Sequence, residues 1–306
     1  MEPERWAMDI PIRKEHPEWF PEKSTRIDLT IPEAAEFFYE ILASNIRRFD
    51  AEYIKIDFNA SLGYDRDGSE LYHYMTVLHR QMKRLKAEFP NLIIENCGSG
   101  SLRQDLSLLP LYSLAFSSDN AHPFETLRIR QGAAMRYLSA NILNWAVLRP
   151  APERLTPISR NDLVMACTAA TWDEGALFNL NYVMLSVLFG IPGFSGDLAG
   201  FDKEMLNKIA AYVTFYKENR AMLRCSHVHL LTPAGLISEF EKTLAFQVQS
   251  KDKQESLVFV FSHSASRRTV RNLRLKDLNQ NTVYRTERLF PEETPVRTYT
   301  GKMLMA

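Results

Sequence analysis

The sequence is poor in the features that would settle a class at once. Its 306 residues hold only three cysteines, Cys97, Cys167 and Cys225. They are too few and too scattered for a disulfide framework, and no CxxC or Cys/His pair has zinc spacing. A reducing compartment follows as the expectation. Net charge is also missing, with Lys+Arg of 37 against Asp+Glu of 37. A chain without a basic field has nothing to steer nucleic acid or an anionic membrane, so neither is expected as a partner. Long apolar runs are absent too. The stretch VMLSVLFGI, residues 183–191, stops short of the roughly 20 residues a spanning helix needs, and the first residues are charged rather than leader-like. A cytoplasmic protein is the expectation.

What is present is a core-forming chain, 45% hydrophobic and 24% charged, long enough for about two domains. Between Pro32 and Arg48 the residues Ala35, Phe38, Ile41, Leu42 and Ile46 fall at helical spacing, with Thr30 as candidate N-cap. A buried-type strand, Tyr53 to Phe58, follows. Leu71, Tyr74, Met75, Leu78, Met82 and Leu85 then mark a second helix, started by Ser69 and stopped before Pro90. The pattern continues with short apolar runs at 92–94, 114–116 and 142–147 and a helix from Pro123 to about Leu138. Strands alternating with helices imply parallel pairing through crossovers. A helix from Lys203 to Leu223 closes this region. From about 225 the texture becomes LAFQVQ (244–249), SLVFVFSH (256–263) and TVRNLRLKDL (269–278), which predicts an antiparallel β domain. The expected division is therefore 1–224 and 225–306.

In parallel α/β folds the reactive groups belong at the C-terminal ends of strands. YIKIDFN puts Lys55, Asp57 and Asn59 on one side of an extended chain. An ionisable residue in such an apolar strand is paired or functional, and a structural Lys55–Asp57 ion pair weighs evenly with a catalytic role. Asp119, in FSSDN (116–120), repeats the arrangement from a separate strand. Two such carboxylates are what glycoside hydrolysis requires, one to attack or activate water and one to protonate the leaving oxygen. On spacing alone, a helix-capping role for Asp119 is the stronger alternative. His73 and His79, six residues apart on one helix, do not share a face and predict no metal site. Trp145 reads as core ahead of a sugar-stacking platform, Asp197 as a turn residue, and Cys167 and Cys225 as small buried hydrophobes.

YIKIDFN, ENCGSGSLRQDL (95–106) and SSDN, in that order and together with EPER, EHPEWF and RIDLTIPEA, resemble the catalytic barrel of glycoside hydrolase family 36, the α-galactosidases. The likeness runs to about Arg220 and more loosely into the family's C-terminal β domain. It implies part of a TIM (β/α)8 barrel, with roughly five of eight strands, followed by a small antiparallel β-sandwich. It implies Asp57 as nucleophile and Asp119 as general acid/base of a retaining mechanism without a cofactor or metal. Lys55, Asn59, Cys97, Ser99 and Asn120 would contact the sugar, while Arg103 and Asp105 brace the loop. The substrate implied is a terminal α-linked galactoside, as an oligosaccharide or simple glycoside. The alternatives are transfer to another sugar by the same two acids, and a truncated barrel that binds sugar without turnover.

The departures from the family pattern are specific. Gly98, Ser99, Gly100 and Ser101 replace a more glycine-rich loop, and Ala121, His122 and Thr126 stand where Thr-Asp and an arginine are usual. The EPER segment normally follows the third barrel strand, so the strands bearing the family's galactose-recognising acids have no counterpart. A homo-oligomer, or a partner supplying the missing elements, is expected, as is weak activity of this chain alone.

Overall fold

The computed structural model describes residues 11–21, 26–58, 65, 67–98, 100, 103–150, 162–165, 176–234, 243–262, 272–290 and 293–306. The chain divides into two compact units, 1–115 and 116–306.

The first unit begins with a short helix α1 (Pro11–Glu15) and a single 3-10 turn. Helix α2 (Pro32–Phe49) follows, then strand β1 (Tyr53–Asp57), helix α3 (Ser69–Glu88) and strand β2 (Ile93–Cys97). Strand β3 (Leu114–Phe116) starts at its end. With a helix between them, β1 and β2 pair in parallel from Tyr53↔Ile93 to Asp57↔Cys97, and β3 joins β2 at Glu95↔Leu114. One face of these strands gives Ile54, Ile56 and Ile94 to a core shared with Tyr39, Ala43 and Ile46 of α2 and Tyr74, Leu78, Met82 and Leu85 of α3. The opposite face is left to Lys55, Asp57, Glu95 and Cys97, because side chains alternate along a strand.

The expected helices are present, and one of their starts differs. Thr30 is not a cap: its amide and hydroxyl both bond Asp28 Oδ1, at 2.9 and 2.7 Å, and Pro32 opens the helix behind Ile31. Ser69 is the first residue of its helix, as expected, and the N-cap is Gly68 at φ 78. Asp65 does the capping chemistry by accepting from the Leu71 amide at 2.8 Å.

In the second unit, helix α4 (Pro123–Ala133) is followed by a 3-10 turn and strand β4 (Ile142–Arg149). The helix ends five residues before the expected Leu138, because the Ala133 carbonyl accepts from both Arg136 and Tyr137 amides and turns the chain. Strands β5 (Asp162–Met165) and β6 (Ala176–Asn179) pair antiparallel, and β5 also pairs antiparallel with the end of β4. The apolar run at 183–191 forms most of buried helix α5 (Leu180–Leu188) and opens strand β7 (Ile191–Gly196), which lies parallel to β4. Gly196, at φ 113, permits this pairing: a Cβ there would sit 2.0 Å from the Leu148 carbonyl oxygen. Helix α6 (Lys203–Cys225), capped by Asp202 through the Met205 amide at 2.7 Å, packs Met205, Ile209 and Tyr212 against α5 and β4.

The antiparallel region is a sheet in the order β10 (Ser256–Ser262), β9 (Thr243–Gln249), β8 (His227–Leu230), and a pair β11 (Val283–Thr286) with β12 (Arg297–Thr300), then helix α7 (Gly301–Met305). The strand expected over 269–278 is not formed by its described part, 272–278. Its backbone is bonded by side chains instead of a ladder. Gln247 Oε1 accepts from the Lys276 amide at 2.6 Å and Gln247 Nε2 donates to the Lys276 carbonyl at 2.9 Å, while Gln249 Nε2 donates to the Asp277 carbonyl at 3.0 Å. No described helix is long and apolar enough to cross a membrane.

Candidate active site

Lys55 and Asp57 project from β1, and the parallel register places Glu95 and Cys97 of β2 beside them as two successive rungs, Lys55↔Glu95 and Asp57↔Cys97. The anticipated Lys55–Asp57 ion pair is not the principal contact. Lys55 Nζ lies 3.4 Å from Glu95 Oε1, a carboxylate whose side chain is only 5% exposed. The Tyr53 hydroxyl donates to the other oxygen, Glu95 Oε2. Asp57 is exposed at the strand's C-terminal end.

Electrostatics follow this geometry. Burial works against the Lys55 charge, but Cys97, once ionised at the alkaline pH where lysine titrates, together with Glu95 and Asp57 outweighs it and holds the ammonium above the usual lysine range. The Cys97 thiol is pushed up by burial first and by its hydrogen-bonded neighbour Asp57, against the Gly100 backbone and Lys55. A protonated, buried Cys97 is a polar lining group and not a nucleophile. Glu95 and Tyr53 were missed by sequence reasoning, although ENC carried the signal: an acid within an apolar run, two residues from Cys97, matches the Lys55–Asp57 spacing one strand away.

After β2 the chain turns through Gly98, whose amide bonds the Gly100 carbonyl at 3.2 Å. A Cβ at Gly98 would meet Arg103 Cγ at 3.0 Å, so the glycine admits the arginine. The Arg103 guanidinium stacks on Phe58, 3.9 Å from the ring centroid, and its carbonyl accepts from Asn96 Nδ2 at 2.7 Å. Asp105 Oδ1 accepts from the Ser107 amide at 3.0 Å. Both residues thus brace the loop, as expected. Asn59 and Ser99 lie outside the described residues.

In the second unit Asp119 stands in the loop between β3 and α4, and its side chain is exposed. It does not cap α4. The N-cap is His122, with no side-chain cap bond. Asn120 orders the turn instead: its Oδ1 accepts from the His122 amide at 2.9 Å, its amide donates to Ser118 Oγ at 3.0 Å, and its carbonyl accepts from Thr126 Oγ1 at 3.1 Å. His122 packs edge-on against Phe178, with ring centroids 4.9 Å apart. Trp145 is half-buried against the core and donates to Ser195 Oγ at 2.7 Å. Asp197 closes a turn through the Gly200 amide at 2.9 Å. Cys167 and the side chain of Cys225 lie outside the described residues. Among the described residues no group of three or more His, Cys, Asp or Glu is placed to hold a metal ion.

The family model for melibiase matches residues 1–226, and that for the glycosyl hydrolase family 36 C-terminal domain matches residues 243–306. The chain belongs to the melibiase family. Among relatives of this melibiase-family chain is a probable alpha-galactosidase G of Aspergillus terreus, 23% identical over 100% of the chain and 39% of the relative. Alpha-galactosidase Mel36A of Lactobacillus acidophilus is 21% identical over 85% of the chain and 34% of its own length. The galactosidase domain of the alpha-galactosidase-sucrose kinase AgaSK superposes with a TM-score of 0.79 at 20% identity, over 97% of the chain and 39% of that structure. Alpha-galactosidase AgaA of Geobacillus stearothermophilus gives 0.77 at 19% identity, over 97% and 40%. The fold is therefore part of a (β/α) barrel followed by antiparallel β structure. The chain spans about two-fifths of the length of the Aspergillus relative.

Proposed function

We propose that this chain carries the catalytic carboxylates of a retaining, α-galactosidase-like glycoside hydrolase. The observation that supports it most is the polar face of β1 and β2, where an exposed Asp57 ends a parallel strand between a charged Lys55 and a protonated Cys97 in a melibiase-family chain. In this reading Asp57 attacks the anomeric carbon while Asp119 donates its proton to the departing glycosidic oxygen. Asp119 then takes a proton from water, whose oxygen displaces Asp57 and frees the sugar with its original anomeric configuration. Lys55 and Asn59 hold the sugar, and Cys97, Ser99 and Asn120 line its subsite. The group that attacks the anomeric carbon does so as a carboxylate.

The substrate class proposed is α-galactosyl oligosaccharides. The Geobacillus enzyme AgaA, in variant forms, has been crystallised with raffinose and with stachyose. No cofactor enters this mechanism. The proposed catalytic region is 1–224 and the proposed β domain 225–306, a division supported by family models that end at 226 and begin at 243. Cytoplasmic location and association with a second copy or a complementing chain belong to the same proposal. Because the chain spans 39% of the Aspergillus relative, a second reading is a sugar-binding chain without turnover. Assay of the purified chain on an aryl α-galactoside separates the two. Turnover abolished by Asp57→Ala supports the hydrolase, whereas galactose binding without turnover supports the second reading.

A further inference from the structure

The polar face of β1 and β2 holds one charged group that the proposed reaction does not use. Glu95 is 4% exposed, and a carboxylate withdrawn from water must be paired and hydrogen-bonded to remain charged. Both of its oxygens are engaged, Oε1 by Lys55 Nζ at 3.4 Å and Oε2 by the Tyr53 hydroxyl. Register makes this arrangement specific. Lys55 is opposite Glu95, and the next same-face rung is Asp57 opposite Cys97, so the ammonium is tied back to the rung below the proposed nucleophile.

We infer that Glu95, with Tyr53, is a positioning residue that holds the Lys55 ammonium charged and off Asp57, so that Lys55 supports Asp57 without closing a direct salt bridge over it. The inference rests on Asp57 being the nucleophile. A lysine bonded directly to Asp57 would compete with the anomeric carbon for the carboxylate's lone pairs. A lysine with no second partner would lose its charge at lower pH, since burial already disfavours the ammonium. The described titratable groups facing Lys55 are Tyr53 and Asp57 on β1 and Glu95 and Cys97 on β2. Glu95→Gln removes the one negative charge among them that is buried and outside the proposed chemistry, with little change of shape.

The test follows Lys55 by NMR in the full chain labelled with [ε-13C]lysine, its signal assigned by loss in Lys55→Met. Glu95→Gln is expected to move the Lys55 titration about one pH unit lower, a tenfold change in the deprotonation equilibrium. Tyr53→Phe keeps the ring packing, removes only the hydroxyl, and is expected to move the titration the same way by less. Glu95→Asp should restore part of the shift. An unmoved Lys55 titration in folded Glu95→Gln, or in Tyr53→Phe if the glutamine variant does not fold, overturns the inference. Where the chain turns over, kcat should fall more than KM rises, because the change acts on the support of Asp57 rather than on sugar binding. Azide rescue of Asp57→Ala tests the nucleophile separately. A shifted Lys55 together with failed rescue would keep the Glu95–Lys55 coupling and reject the catalytic reading on which its purpose rests.

Discussion

Asp57 ends one parallel strand and Asp119 lies three residues beyond the end of another, yet they are held by different physics. Asp57 belongs to the strand itself, and its surroundings are side chains fixed by register: Lys55, Glu95 and Cys97 on one face, with Ile54, Ile56 and Ile94 anchoring the other in the core. Asp119 belongs to a loop, and what fixes the loop is backbone: turns closed by Ser118 and Asn120 and a bond from Thr126. In the proposed mechanism, a nucleophile that must stay ionised and aimed at one atom suits the rigid, charge-lined rung. An acid/base that in the same proposal must give and then take a proton suits a loop whose turns set the backbone while the side chain meets solvent.

The largest effect should separate the two carboxylates. If Asp57 is the nucleophile proposed, Asp57→Ala should lower kcat on any α-galactoside by about 10⁴-fold or more, since no covalent intermediate could then form. Asp119→Asn should depend on the leaving group. With a poor, alkyl leaving group the loss should be about 10²–10⁴-fold, and with an activated aryl group glycosylation should be nearly unaffected while deglycosylation slows. Equal losses for both variants on both substrates would erase the distinction. Burst kinetics with the aryl substrate provide the check.

Much of this contrast could be read in the residues. The alternation of apolar runs with amphipathic helices located β1, β2, β3, α2 and α3, because core burial imposes the period. YIKID marked its own polar face. The misjudged features depend on partners that a linear chain does not show. Thr30 lost its capping role to Pro32 and Asp28. Residues 272–278 have the alternation of a strand but are bonded by the buried amides of Gln247 and Gln249. Glu95 looked like one more residue of a loop motif, and only the register against Lys55 gives it a task.

Smaller effects sharpen the comparison. Asn120→Ala should cost about 0.5–1.5 kcal/mol in stability, the value of one intramolecular hydrogen bond, read by urea denaturation. It should also lower kcat through a looser Asp119. Cys97→Ser, which keeps a donor beside Asp57 but exchanges sulfur for a better-hydrated hydroxyl, should leave KM within about threefold and reduce kcat by about tenfold. A loss as large as that of Asp57→Ala would give the thiol a role beyond lining.

The pH dependence of stability gives the smallest signal. Lys55 is held above its unfolded value, so its contribution is fully present below the unfolded pKa and is lost as pH rises through the higher folded pKa. Thermal unfolding should show a modest fall in Tm over that alkaline window, absent in Lys55→Met. The partly exposed lysine makes this a small step, and a fall on acidification alone would contradict the sign.

The central claim, that Asp57 is the nucleophile of a retaining reaction, is tested most directly by small-anion rescue of Asp57→Ala on an aryl α-galactoside. Azide occupying the space of the lost carboxylate should attack the anomeric carbon once and yield β-galactosyl azide, identified by its proton coupling in NMR, with turnover restored in proportion to azide. No rescue together with residual hydrolysis, or an azide product of the α configuration, would contradict it.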